Sequence, residues 1–435
     1  MIYLYRFLIN LAIPVVLITL IFRGFKNSAY WSRWKERFGY IPDSVKQVGE
    51  FDLWIHAVSV GEARAATPLI NRLLNEQPDS KILLTTTTPT GSAMVKMMLH
   101  DKVSHCYLPY DLHWAMKRFV NSINAETVFV METEIWPNLI GAVKAYGSTL
   151  VYTNVRLSER SYLGYAKLPK FAKQTLEQID HFAVQGKADK KHLELLGVEP
   201  SKISETGSIK FDVYVPPSLR ESAEVMRRQL GQDRLIWIAG STREGEESKI
   251  IAAYRKLKED FPCLLLMLVP RHPERFDYIA RKVQRRGLVC ARRTEGHAEI
   301  SADVDVYLGD TMGELSLMYA CSDVAFVGGS LVPLGGQNIL EPCALGVPVV
   351  FGPHMFNFPD ISRWTIKENA GKMVADTDEL VTVVKELLFN PSLRDEMGNN
   401  GMKFIEAHRG ALDKNYILID GLTRDTIDAN TLAQI

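Results

Sequence analysis

Several short stretches of this chain place glycines, hydroxyls, carboxylates and a guanidinium directly after apolar, β-rich runs. They are Ser59-Val60-Gly61-Glu62, Glu132-Thr133-Glu134, Gly240-Ser241-Thr242, Pro270-Arg271-His272, Asp310-Thr311-Met312-Gly313-Glu314 and Gly328-Gly329-Ser330. In open α/β sheets ligands collect beyond the carboxyl ends of the strands, so chemistry is expected at these positions. Carboxylates concentrate in the first half of the chain and groups suited to an anion in the second. The densest stretch is GGSLVPLGGQNILEP (328–342). Gly335 and Gly336 let the backbone approach a ligand, and a helix beginning near Asn338 would point free amides and its positive end at a phosphate. Glu341 in the first turn can accept from two ribose hydroxyls. A plain strand-to-helix turn with an acidic first turn accounts for the same residues. Arg271 adds a fixed cation or is a solvated strand-end charge, and Ser241 and Thr242 can donate hydrogen bonds. Together these features favour a nucleotide monophosphate or diphosphate site in the second half.

Other chemistries lack their residues. There is no GxxxxGK, no GxGxxG opening a helix, no HExxH and no GxSxG, which removes P-loop hydrolysis, a nicotinamide cofactor, a zinc protease and a seryl hydrolase. Asp303-Val304-Asp305 spells DxD, but it stands at the entrance of a strand and reads as a solvated turn, so no metal and no cofactor is expected. Lys plus Arg and Asp plus Glu both number 51, which leaves no basic field to capture nucleic acid. The Cys count of 5 is odd and includes no CxxC pair, which points to a reducing compartment.

The elements that must position these groups follow an α/β grammar. FDLWIHAV (51–58), KILLTTTT (81–88), ETVFVME (126–132), TLVYTN (149–154) and HFAVQG (181–186) read as strands alternating with helical patterns such as EARAATPLINRLLNE and HWAMKRFVNSI. The series restarts with RLIWIAGS (234–241), CLLLMLVP (263–270), VDVYLGD (304–310), DVAFVGGS (323–330) and PVVFGP (348–353). Pro216-Pro217 breaks regular structure, which sets a linker over 216–230 between a domain at 25–215 and a second at 231–435, whose last helix is able to pack back on the first. With 435 residues, two parallel-sheet domains are the expectation. Residues 2–22 are nearly continuously apolar and long enough to cross a bilayer as one helix, within an anchor over 1–24. Arg23, Lys26, Arg33, Lys35 and Arg37 follow, so the positive-inside rule puts the bulk of the chain on the cytoplasmic side. A buried or interfacial helix is the alternative, given Arg6, Asn10 and Pro14.

The motifs RWKERFGY (33–40), HAVSVGE (56–62), TTTTPTG (85–91), YLPYD (107–111), METEIWPN (131–138), TGSIKFD (206–212), STREGEES (241–248), VPRHPERF (269–276), GDTMGEL (309–315), FVGGSLVPLGGQNILEP (326–342) and GPHMFNF (352–358) resemble the 3-deoxy-D-manno-octulosonic acid (Kdo) transferases of lipopolysaccharide assembly. Where the family often reads GGHN, this chain has Gly335-Gly336-Gln337-Asn338. The resemblance implies a GT-B glycosyltransferase: two Rossmann-like domains facing across a cleft, with an amino-terminal anchor in the inner membrane. It implies transfer of Kdo from CMP-Kdo to a lipid A precursor (lipid IVA), a tetraacyl disaccharide bisphosphate, with inversion. Glu62 matches the family's general base, and Glu132 and Lys210 match residues that stabilise the transition state. Pro270, Arg271, Met312, Gly313, Glu314, Asn338, Ile339, Leu340 and Glu341 match segments that hold the cytidine nucleotide. A scaffold that has lost catalysis, or an enzyme with another donor sugar, are the competing readings; intact Glu62, Glu132, Lys210, Arg271 and Glu341 argue against the scaffold.

Glu62 lies on the opening turn of the helix after the first strand, where the helix end favours the carboxylate anion. A general base or a plain helix cap both fit that position. The stretch Tyr165-Ala166-Lys167-Leu168-Pro169-Lys170-Phe171 is expected to touch the bilayer beside the anchor.

Overall fold

A computed structural model of the chain describes residues 1–296 and 298–423. The carboxyl-terminal tail of the expected 231–435 domain lies outside the described residues. The chain divides into two units: Met1–Asp212 joined by the chain from Arg409, and Val213–His408.

In the first unit, β1 (Phe51–His56), β2 (Ile82–Thr86), β3 (Ser104–Tyr107), β4 (Ala125–Met131), β5 (Thr149–Val155), β6 (His181–Val184) and β7 (Ile203–Glu205) form one parallel sheet in the order β3-β2-β1-β4-β5-β6-β7. In the second, β8 (Ile236–Thr242), β9 (Leu265–Pro270), β10 (Cys290–Arg292), β11 (Val306–Leu308), β12 (Val324–Val327), β13 (Val349–Phe351) and β14 (Gly371–Met373) run β10-β11-β9-β8-β12-β13-β14, again all parallel. Both are doubly wound, as the α/β grammar requires. The chain reverses its winding between β1 and β4 in one sheet and between β8 and β12 in the other, and such reversal points are where α/β sheets hold ligands.

The central strands are apolar on both faces because helices cover both; all seven residues of β8 are buried. The covering helices carry an apolar stripe at helical spacing. In His113–Ile123 it is Ala115, Met116, Phe119, Val120 and Ile123, and Asn124, with φ of 45°, ends the helix in the left-handed conformation that Asn tolerates.

Two expectations are corrected. Residues 2–22 do not form one spanning helix: they divide into Ile2–Leu11 and the start of Ile13–Lys26, bent by 44°, and among the described residues no single helix is long and apolar enough to cross a membrane. Pro14 starts the second helix because its ring supplies no N–H and crowds the preceding turn. The polar residues of the first helix are docked: Tyr5 donates its hydroxyl to Asp111 at 2.7 Å, Arg6 Nε bonds Asn138 at 2.9 Å, and Trp114 Nε1 donates to Asn10 at 3.2 Å. The opposite face, with Leu4, Phe7, Leu11, Val15, Ile18, Phe22 and Phe25, is exposed.

The segment read as a linker is likewise ordered: Pro216 and Pro217 open the helix Pro217–Leu230, where proline's fixed φ suits the first turn, and Ala223, Met226 and Leu230 are buried. The helix Ala411–Thr423 lies with the first unit, its Tyr416, Leu418 and Ile419 packed in one core with Leu53, Ile55, Ala66 and Ile70. Asp212 pins its start, accepting from Gly410 N at 2.7 Å and Leu412 N at 2.6 Å.

Candidate active site

In the first unit the reversal point brings together the groups after β1 and β4. Glu62, in the first turn of the helix Val60–Glu76, is buried, and its carboxylate accepts from Val58 N at 2.7 Å and from the Ser59 hydroxyl at 2.9 Å. These bonds and the helix end favour the anion, but burial and the charges of Glu132 and Glu134 outweigh them, and the pKa rises from 4.5 to about 7. The helix end favours the anion, as the sequence suggests, but with burial and two acidic neighbours added, Glu62 is poised at neutral pH between accepting and holding a proton.

Glu132 follows β4 with φ of 58°, a left-handed conformation that costs a non-glycine residue energy. Its N–H bonds the Thr153 carbonyl at 2.9 Å, which fixes the bend, and Lys210 Nζ meets its Oε1 at 2.9 Å. Glu62, Glu132 and Lys210 thus belong to one neighbourhood, with Glu134, raised first by burial, beside them. Asn154, after the same bend in β5 (φ 54°), accepts from Ile209 N at 3.2 Å and so positions the turn carrying Lys210. Sequence reasoning missed Asn154; an Asn ending a β-run was the available signal. His56 is fully buried, bonds Thr85 through Nδ1 at 2.9 Å, and burial lowers its pKa to about 3, so it is neutral. Glu36, an acid in the basic flank, is fully engaged by Arg33 at 2.6 and 2.7 Å and by Tyr107 N at 2.8 Å.

The second unit gathers its groups after β8, β9 and β12. Arg271 follows β9 and its N–H bonds the Thr242 carbonyl at 3.0 Å, which sets it beside the bend at Ser241 (φ 54°). The neighbouring His272 has its pKa lowered by burial and then by Arg243, with Glu274 opposing and Arg271 and Arg275 adding to the fall, so the cations prevail at this strand end. Met312 is exposed, and Gly313 (φ 86°) has open space where a side chain would stand. Glu314 is drawn away from them into a bidentate pair with Arg293 at 2.7 and 3.1 Å, which lowers its pKa. The Asn338 side chain bridges Leu340 N at 3.1 Å and Glu341 at 3.3 Å.

Parts of the glycine-rich stretch serve the fold instead. Gly335 and Gly336 admit the side chains of Asn357 and Met355, which occupy the space a Cβ would need. The helix expected near Asn338 is only Leu340–Ala344, five residues, and the side chains of Ile339 and Leu340 are buried, so only their backbone is offered to a ligand. The amides of Gly329, Ser330 and Leu331, free in sequence, are taken by the buried Glu246 carboxylate at 2.6 to 2.9 Å, which also accepts from Arg243 N. Its neighbour Glu247, also buried, pairs with Arg275 at 2.5 Å. Both glutamates stand in STREGEES, where two acids opening a helix were the only signal. Asp305 of the DxD is buried and accepts from Val289 N at 2.8 Å, a fold contact and not a solvated turn. Among the described residues no group of His, Cys, Asp or Glu is placed to hold a metal.

A protein from Haemophilus influenzae named 3-deoxy-D-manno-octulosonic acid transferase is 39% identical over 413 residues, covering 95% of this chain and 96% of the relative. The chain belongs to the Kdo transferase family. The family model for 3-deoxy-D-manno-octulosonic-acid transferase matches residues 32–213, which spans Glu62, Glu132 and Lys210. A Bordetella pertussis Kdo transferase is 36% identical over 385 residues, 87% of this chain and 86% of its own. In fold, the UDP-GlcNAc 2-epimerase of Neisseria meningitidis superposes with a TM-score of 0.57 at 14% identity, covering 85% of this chain and 99% of that one, which is a likeness of architecture alone. As a Kdo transferase family member the protein is a glycosyltransferase with the two parallel-sheet units of the GT-B class.

Proposed function

We propose that the enzyme transfers Kdo from CMP-Kdo to a sugar hydroxyl of a lipid A precursor, with inversion, and that Glu62 is the general base. The observation that carries the reading is the buried Glu62 carboxylate at the reversal point of the first sheet, with its pKa near 7. A base of that pKa accepts a proton at neutral pH and is strong enough to draw it from a hydroxyl as the new C–O bond forms. The bond from Kdo to the phosphate breaks in the same step and CMP leaves with the electron pair. Lys210, tethered by Glu132, supplies positive charge beside the reacting centre, and the pair stabilises the transition state. In the second unit the strand end at Pro270 and Arg271, the open backbone at Met312 and Gly313, and the turn Asn338 to Glu341 hold the cytidine nucleotide, while Glu314, paired with Arg293, holds the turn of Met312 and Gly313 in place. No metal takes part in this scheme.

The acceptor is a lipid, and the exposed apolar face of the two amino-terminal helices suits attachment to the cytoplasmic face of the inner membrane. Phe171, whose ring lies 6.1 Å from that of Tyr5, puts the stretch Tyr165 to Phe171 beside them.

Glu62→Gln separates base from cap. The amide keeps one acceptor oxygen, so about 1 kcal/mol of stability is lost, while transfer at saturating CMP-Kdo and acceptor falls about a hundredfold with CMP affinity unchanged. A folded variant with near wild-type turnover overturns the assignment, and a screen in which UDP-sugars replace CMP-Kdo equally well overturns the donor.

A further inference from the structure

Arg37 is a charge the scheme above does not use. It is 3% exposed, yet its guanidinium makes one close hydrogen bond, from Nη1 to the Thr87 carbonyl at 3.0 Å, and a weaker side-chain contact with the Tyr110 hydroxyl, while Nε and Nη2 are buried with no partner at full hydrogen-bond geometry among the described residues. The adjacent Glu36 is not its counterion, because Arg33 and Tyr107 N consume that carboxylate. Instead Arg37 is caged by aromatic faces, with its Cζ 4.6 Å from the Tyr107 centroid, 5.9 Å from Tyr110 and 6.0 Å from Tyr30. Arg23 lies against the far side of the cage, 5.8 Å from the Tyr30 ring, and both guanidiniums oppose the burial that raises the Tyr110 phenol. Aromatic faces soften the burial of a cation, and the Tyr110 hydroxyl is a neutral acceptor for it, but none of the three rings supplies a counter-charge. A buried guanidinium with unpaired donors is costly, and the natural compensation is an anion that takes two parallel N–H bonds.

The position says which anion. Thr87, which holds Arg37, donates from N and Oγ1 to the Val58 carbonyl, both at 3.1 Å, and Val58 N donates to Glu62. Arg37 is therefore tied through two residues to the base. Arg23 sits near the end of the helix Ile13–Lys26, whose Ile18, Ile21, Phe22 and Phe25 are exposed. The charge lies between a surface suited to lipid chains and the site where a sugar hydroxyl is activated. We propose that Arg37, with Arg23 at the rim, binds a phosphomonoester on the acceptor glycolipid, and that Tyr30, on the short turn Ser28–Trp31, swings aside to admit it. This inference rests on the proposed lipid A precursor as acceptor, whose phosphates are what the family resemblance implies.

The test is equilibrium binding to the full chain without donor, in detergent micelles, of the phosphorylated lipid A precursor, its phosphatase-treated form, and inorganic phosphate. Arg37→Gln is expected to weaken the phosphorylated lipid tenfold or more and to leave the dephosphorylated lipid unchanged. Arg37→Met, which removes a buried unpaired charge, is expected to melt no lower than wild type and to show the same selective loss. Tyr30→Ala uncovers the guanidinium and is expected to speed association of the phosphorylated lipid only. Equal weakening of both lipids, or none, overturns the proposal. Inorganic phosphate binding as tightly as the lipid overturns the lipid source and leaves a free-phosphate site. The functional reading fails separately, if wild type binds the phosphorylated lipid through Arg37 but transfers no Kdo to it.

Discussion

At the scale of single residues, the protonation of Glu62, with burial and the charges of Glu132 and Glu134 raising its pKa to about 7, governs how both stability and turnover depend on pH. Glu62 could be placed after a strand and on a helix turn from the apolar pattern alone, and the helix end predicted an anion. The pKa shift depends on depth of burial and on Glu132 and Glu134, which a chain reading cannot bring within range of it. The consequence for pH is definite. Between the ordinary 4.5 and about 7, the folded state holds a proton that the unfolded chain releases, so the contribution of Glu62 to stability, fully present below 4.5, is lost as pH rises through 7. Activity runs the other way: kcat/KM is expected to rise with pH along a limb centred near 7, because only the carboxylate accepts the proton. Glu132→Gln removes the larger of the two repelling charges, so turnover falls while the limb moves toward lower pH. A pH–rate profile checks it, and a limb unmoved in Glu132→Gln would assign the titration to another group.

At the scale of elements, every strand the sequence reading missed is an edge. β3 and β7 bound the first sheet, and β10 and β14 the second. They are three or four residues long and each contains at least one partly exposed residue, whereas β1, β4, β5, β8 and β9 are long, almost wholly buried runs. An edge strand pairs on one side only and needs no continuous apolar run, so it leaves little periodic trace. The glycine-rich turn illustrates the converse failure. Its residue types suit an anion, and an anion does occupy its amides, but that anion is Glu246 of the chain itself. Glu246→Gln replaces one acceptor oxygen by a donor against N–H groups in a buried setting. A loss of about 1 to 3 kcal/mol is expected, read as a lower urea midpoint at unchanged slope. An unmoved midpoint would show that water or a shifted turn satisfies those amides.

At the scale of the molecule, the chain leaves the first unit once and returns once, at Asp212 and Arg409, so the second unit is a continuous insertion within the first. The returning helix closes the core around Leu53, Ile55, Ala66 and Ile70, with Leu418 and Ile419 fully buried. Ending the chain at His408 removes roughly 3 kcal/mol or more of apolar burial from the first unit. Calorimetry of that truncation is expected to resolve two transitions, the lower belonging to the first unit; a single transition at the wild-type temperature would deny the helix its place in the core. The same arrangement sets the order of manufacture. A ribosome finishes Val213–His408 as one uninterrupted domain while the domain it began earlier still lacks its last helix, a delay of roughly ten to forty seconds at ordinary synthesis rates. Through that interval the face awaiting Leu418 and Ile419 is bare, and exposed apolar surface of that kind makes a nascent chain prone to aggregate.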